Sequence, residues 1–138
     1  MAKGKVFIDT NLLVYSLDEH FPDKREKARA VLRTLEQERR AVISTQVLQE
    51  FYCASTKKLG VDSARAQSFV KAFERFEVAV IEPPAIHKAI DISSFYHLSF
   101  WDALIVAAAA QTNCTELYTE DLNAGQVLQG IIVVNPFA

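Results

Sequence analysis

The chain has 138 residues, half of them apolar and 23% charged, with 15 basic against 17 acidic side chains for a net charge of −2. That length and composition predict a single globular domain over 1–138 and exclude a disordered chain. Two cysteines, Cys53 and Cys114, are too few for a disulfide scaffold, lack metal-ligand spacing and read as reduced core thiols.

The longest apolar run, Ala103 to Ala110, falls well short of the roughly 20 residues a bilayer crossing needs. Charge comes too early at the N-terminus for a signal peptide, so a cytoplasmic protein with no membrane partner is expected. The small net charge hides a sorting. Residues 1–75 carry 14 basic and 10 acidic side chains, whereas 76–138 carry seven acids and a single base, Lys88. Chance clustering on solvated helix faces can do this. So can an acidic centre with a basic rim, which would suit a metal site handling a polyanion.

In chain order, Lys5-Val-Phe-Ile8 reads as a short buried strand, and Asn11 to Leu17 as one or two helical turns. Pro22 marks a break. From Asp23 to Arg40, Ala28, Val31, Leu32 and Leu35 recur at helical spacing under a basic outer face. Ala41–Ser44 is a second strand. Thr45 to Leu59 is a helix with Gly60 as its expected cap, and Asp62 to Phe76 is another. Glu77–Ile81 is a third strand. Pro84 opens a helix to about Tyr96, and Trp101 to Thr112 is a helix apolar on nearly every side. Leu117-Tyr118 and Ile131–Val134 supply strands four and five. Short strands without alternation, separated by helices, predict a three-layer α/β/α sandwich on a mostly parallel five-stranded sheet, with its crevice at the strands' carboxyl ends.

Gly4, Gly60, Gly125 and Gly130 form neither a dinucleotide fingerprint nor a phosphate-binding loop, and no nucleophile elbow is present. His20, His87 and His97 have no ligand spacing. Acidic residues in apolar or strand-end settings stand out instead. Asp9 follows the first strand and Asp121 the fourth; Glu50 borders the apolar stripe of Val47, Phe51 and Ala54; Asp102 is the only charge between Ser94 and Thr115. Each also has a structural reading. Asp9 would cap a helix, Glu50 would lie on a helix surface, Ser99 and Asp102 would form a capping box, and Asp121 would sit in a polar turn. Glu120 and Asn123 are less certain neighbours of Asp121. Were the acids to converge, each pair about 4 Å apart would repel by roughly 4 kcal/mol at an effective dielectric near 20. A hard divalent cation, Mg²⁺ or Mn²⁺, would relieve this and suits phosphodiester hydrolysis.

Four segments carry a resemblance: Phe7-Ile-Asp-Thr-Asn11, Leu48-Gln-Glu-Phe-Tyr52, Ser99-Phe-Trp-Asp-Ala-Leu-Ile105 and Leu117-Tyr-Thr-Glu-Asp-Leu-Asn123. In that order, with the ending Gly125-Gln126 through Phe137, they resemble PIN-domain ribonucleases, and most closely the VapC toxins of toxin–antitoxin pairs. The resemblance covers nearly the whole chain. It implies that Asp9, Glu50, Asp102 and Asp121 are the acidic quartet. Asp9, Asp102 and Asp121 would hold Mg²⁺ or Mn²⁺, Glu50 would act through water, and Asn11 and Thr119 would support the site. It also implies a VapB-like antitoxin, a homodimer, and cleavage of structured RNA such as tRNA or rRNA. Arg33, Arg39, Lys57 and Lys58 are candidate RNA-backbone contacts, as is the whole basic helix from Lys24 to Arg40; a solvated face or a protein interface is the alternative. A non-catalytic RNA- or protein-binding module is the main rival reading. A phosphorylation receiver is disfavoured because no Lys follows Lys88, and a structure-specific DNA nuclease because such relatives are usually longer.

Overall fold

A computed structural model describes residues 3–138. The strands are β1 (Lys5–Ile8), β2 (Ala41–Ser44), β3 (Glu77–Ala79), β4 (Cys114–Tyr118), β5 (Val127–Leu128) and β6 (Ile131–Val134). The helices are α1 (Thr10–Tyr15), α2 (Pro22–Gln37), α3 (Thr45–Lys57), α4 (Ser63–Phe73), α5 (Pro83–Tyr96) and α6 (Phe100–Gln111). The sheet order is β3-β2-β1-β4-β6-β5, parallel throughout except for β5 against β6.

The sheet therefore has six strands where five were expected. The additional strand, Val127–Leu128, is two residues between Gln126 and Gln129, too short to carry a periodic signal. It turns back on β6 through Gln129 and Gly130, both at positive φ. The other boundaries move by a few residues. β4 begins three residues before Leu117, because Cys114 and Thr115 interrupt the apolar run there. β3 stops at Ala79, two residues before Ile81. Lys58, rather than Gly60, caps α3, and Gly60 sits at φ 68° in the following loop.

Val6, Phe7 and Ile8 are all fully buried. Consecutive strand residues point to opposite faces, so burial of all three means that helices cover both faces of β1. Helix α6 is the apolar helix expected: Ala103 through Ala109 are buried. Phe51 of α3 is the largest contributor from the opposite side, meeting Phe73 of α4 edge-on at 4.9 Å. The cysteine expectation divides. Cys114 is a buried free thiol, but Cys53 is exposed, because it falls on the outer side of α3 while Phe51 takes the inner one. No single helix among the described residues is long and apolar enough to cross a membrane.

Candidate active site

Strands β1 and β4 are neighbours at the middle of the sheet, with Ile8 opposite Tyr118. Their parallel run brings the next residues, Asp9 and Thr119, to one edge. Asp9 is 6% exposed and Thr119 is fully buried. One Asp9 oxygen accepts the Thr10 N–H at 2.7 Å, which makes Asp9 the N-cap of α1. The other accepts the Thr119 hydroxyl at 2.8 Å. The capping reading of Asp9 is thus correct, and it coexists with a place in an acidic crevice.

Thr119 uses its full capacity of one donor and two acceptor sites. Its hydroxyl donates to Asp9 and accepts from Asn11 Nδ2 at 3.3 Å and from the Asp121 N–H at 3.0 Å. Asn11 Nδ2 also donates to Asp121 Oδ2 at 3.2 Å. One buried hydroxyl therefore ties Asp9, Asn11 and Asp121 together. Thr119→Val keeps the shape and removes all three bonds, so it should lower unfolding stability by about 1–3 kcal/mol, read from urea titration. A change below about 0.5 kcal/mol would show that water replaces the hydroxyl.

Glu50 reaches the crevice from the second turn of α3. Its Oε1 accepts the Thr10 hydroxyl at 2.7 Å and its Oε2 accepts Gln46 Nε2 at 3.2 Å. Gln46 Nε2 donates equally to the Trp101 carbonyl at 3.2 Å, linking α3 to the first turn of α6, where Asp102 stands. The Ser99 hydroxyl accepts the Asp102 N–H at 3.1 Å, the N-cap half of a capping box. Glu50 and Asp102 are half-buried, and Asp121 is exposed.

The four carboxylates share one electrostatic field. Burial pushes the Asp9 carboxyl up to about 6; bonds from Thr119 and Thr10 pull it down, and Asp121 and Glu50 push it further up. Asp102 is also raised, first by burial, against the lowering effect of Ser99 and with the same two neighbours, Asp121 and Glu50, adding to the rise. Among the described residues none of the four has a Lys, Arg or His ion-pair partner. Two further buried acceptors beside them, Asn11 Oδ1 and Gln46 Oε1, find no donor. An all-oxygen crevice rich in acceptors, whose acids have no ion-pair partner among the described residues, fits a hard divalent cation. No three acidic, His or Cys side chains among the described residues stand close enough to form a ready-made ligand set, so binding would have to draw them together.

Glu120 does not join them. It turns to Tyr15 Oη at 2.5 Å and Lys24 Nζ at 2.9 Å, with Lys24 lying 4.7 Å over the Tyr15 ring. The proposed basic rim is also redistributed. β2 begins opposite Val6, whose N–H donates to the Arg40 carbonyl, so Arg39 lies at the amino edge of the sheet, across from the acids. Arg40 is spent on the Gly4 carbonyl at 2.8 Å and Glu38 at 2.7 Å. Arg33 is exposed on the second half of α2. Lys57 and Lys58 are exposed at the far end of α3, about 10 Å along the helix axis from Glu50. Thr10 and Gln46 escaped the sequence reading. Gln46 precedes Glu50 by one helical repeat, the spacing that puts both on one face.

Solved structures share this architecture. A toxin–antitoxin complex from Klebsiella pneumoniae superposes with a TM-score of 0.70 at 22% identity, covering 96% of this chain and 98% of that one. VapC20 of Mycobacterium tuberculosis, a sarcin–ricin-loop-cleaving toxin, gives 0.67 at 16% identity, with 85% and 90% covered. DNA-bound VapBC from Salmonella typhimurium gives 0.68 at 21% identity, with 95% and 97% covered. At such identities the likeness is one of fold. A sequence search of curated proteins returned no match. The PIN domain family model matches residues 6–127, which takes in Asp9, Glu50, Asp102 and Asp121, and the chain belongs to the PIN domain family.

Proposed function

We propose that this PIN domain is a Mg²⁺- or Mn²⁺-dependent endoribonuclease and the toxin of a VapBC-type pair. The observation that carries the reading is the crevice itself: Asp121 and Glu50 act on both Asp9 and Asp102, and none of the four has a Lys, Arg or His ion-pair partner among the described residues. Asp9, Asp102 and Asp121 would hold the cation. A bound divalent ion supplies an activated water and stabilises charge on the phosphate under attack. Glu50, which accepts hydrogen bonds from Thr10 and Gln46, would orient the attacking water and accept its proton. Asn11 and Thr119 hold Asp9 and Asp121 in register. Hydrolysis forms a bond from phosphorus to the water oxygen and breaks the bond to the ribose 3′ oxygen. The products carry a 5′-phosphate and a 3′-hydroxyl. The toxin–antitoxin complexes among the structural relatives support a VapB-like antitoxin as partner, and we extend the reading to a cytoplasmic homodimer acting on structured RNA, tRNA or rRNA.

Sequencing of new RNA ends tests this. Purified protein is incubated with total bacterial RNA in Mg²⁺, in Mn²⁺ and in EDTA. Discrete 5′-phosphate ends that vanish in EDTA are expected, and their position names the substrate. Ends bearing 2′,3′-cyclic phosphate would overturn the mechanism, since that chemistry attacks through the ribose 2′-hydroxyl. No metal-dependent ends on any RNA would transfer the crevice to a binding role.

A further inference from the structure

A second charged feature lies where α1, α2 and the α3–α4 loop meet. His20, Arg25, Arg29, Gly60, Arg65 and Phe69 help line a polar recess of about 290 Å³. Three arginines line it, Arg25 and Arg29 from α2 and Arg65 from α4. Their compensation is poor. Arg65 has no acidic partner among the described residues, and its guanidinium lies over the Phe69 ring at 5.6 Å. Arg25 and Arg29 share one exposed carboxylate, Glu26, at 3.5 and 4.0 Å, distances too long for good hydrogen bonds. The Nε of Arg25 is buried without a hydrogen-bond partner. Arg29 is anchored by donating its Nε–H to the Ser16 carbonyl at 2.8 Å. Glu19 borders the recess and forms no ion pair with any of the three; the His20 ring turns to Asp18 at 3.0 Å.

Three arginines around one recess, poorly compensated by carboxylates, match a phosphate oxyanion, which accepts paired guanidinium N–H groups. The recess is also tied to the acidic crevice by two helices. Thr10 and Glu50 are bonded to each other at the crevice, and the chain reaches the recess at Leu17 beyond α1 and at Leu59 beyond α3. At 1.5 Å per residue those paths are about 10–14 Å. A stacked strand advances about 3.4 Å per nucleotide, so the two places are three to four nucleotides apart.

We propose that the Arg25–Arg29–Arg65 recess binds a backbone phosphate of the RNA strand, three to four nucleotides from the phosphate at the acidic crevice. The assignment rests on the ribonuclease reading and narrows the candidate phosphate contacts of the basic α2 helix to Arg25 and Arg29, joined by Arg65 of α4. Its test does not need cleavage. Binding of a short fluorescein-labelled single-stranded RNA of mixed sequence is followed by anisotropy in EDTA over a range of KCl. Wild type is compared with Arg25→Gln, Arg65→Gln and, as an equal charge change elsewhere, Lys88→Gln on α5. The two arginine variants should weaken binding by about 3–10-fold at low salt, and each should reduce the log–log salt slope by about 0.7, as loss of one single-strand phosphate contact requires. Lys88→Gln should match wild type. Inorganic phosphate should compete for wild type but hardly for Arg65→Gln. If the arginine variants behave like Lys88→Gln, the proposal falls, whatever the cleavage assay shows. It falls also if phosphate binding depends on Arg65 while RNA binding does not, for then the recess takes a small anion alone. Loss of cleavage activity with Arg65-dependent RNA binding intact would overturn the nuclease reading and keep the recess.

Discussion

Asp102→Asn should remove metal-dependent RNA cleavage, by more than about 100-fold, while leaving the fold in place. Even outer partners of a metal ligand are worth 10–100-fold, and a direct ligand is worth more. The substitution keeps the shape and the backbone N–H that donates to Ser99, so the start of α6 stays capped. It also takes one charge out of a crevice in which burial first, and then Asp121 and Glu50, disfavour ionisation of Asp102. Thermal unfolding in EDTA should therefore match or exceed that of wild type. Retained cleavage would show that Asp102 belongs to the helix cap and not to the chemistry. Unfolding of the variant would show that its charge holds the α6 terminus, where a carboxylate favours the helix dipole.

Asp9→Asn should stabilise the protein at neutral pH without metal, by about 1–3 kcal/mol, and the gain should disappear in acid. The sign follows from the raised carboxyl. Below about pH 4 Asp9 is protonated in both folded and unfolded chains, and its burial carries no electrostatic penalty. Between about 4 and 6 the unfolded chain ionises while the folded one resists, and stability falls. Above about 6 the loss is complete, roughly 3 kcal/mol for a shift of about two pH units. Asparagine has no charge to bury and can still accept the Thr10 N–H, although the Thr119 hydroxyl must reorient, which trims the gain. In a domain of this length about 3–5 °C in Tm corresponds to each kcal/mol, within reach of melts at pH 4 and pH 7.5. Mg²⁺ should raise the melting temperature of wild type alone, because only its native crevice gains a ligand. A variant less stable than wild type at both pH values would mean that the Asp9–Thr119 bond outweighs the cost of burying the charge.

These two residues bear on why the fold keeps its acids together. A buried carboxylate such as Asp9 is destabilising, and Asp121 and Glu50 beside it, with no ion-pair partner among the described residues, add to the cost. That arrangement opposes stability and favours cation binding, the usual conflict at a functional site.

Much of the architecture is local and could be read along the chain. Lys5–Ile8 and Ile131–Val134 are strands because short β-branched and aromatic runs bounded by polar residues have no other economical burial. α6 is recognisable because a segment apolar all round must lie in a core, and Ser99 marks its start. The acids were legible too, as charges set against apolar neighbours. What the sequence could not determine was mutual position. β5 exists only because β6 offers it an edge. Arg39 and Arg65 look alike as exposed basic residues, yet one lies at the amino edge of the sheet and the other faces Phe69 in the recess. Thr10 became a neighbour of Glu50 only when α1 and α3 packed together. Periodicity reports which face of an element is buried, since that depends on residues three or four apart. Which faces meet depends on contacts between residues as distant as Asp9 and Thr119, and only the folded chain decides those.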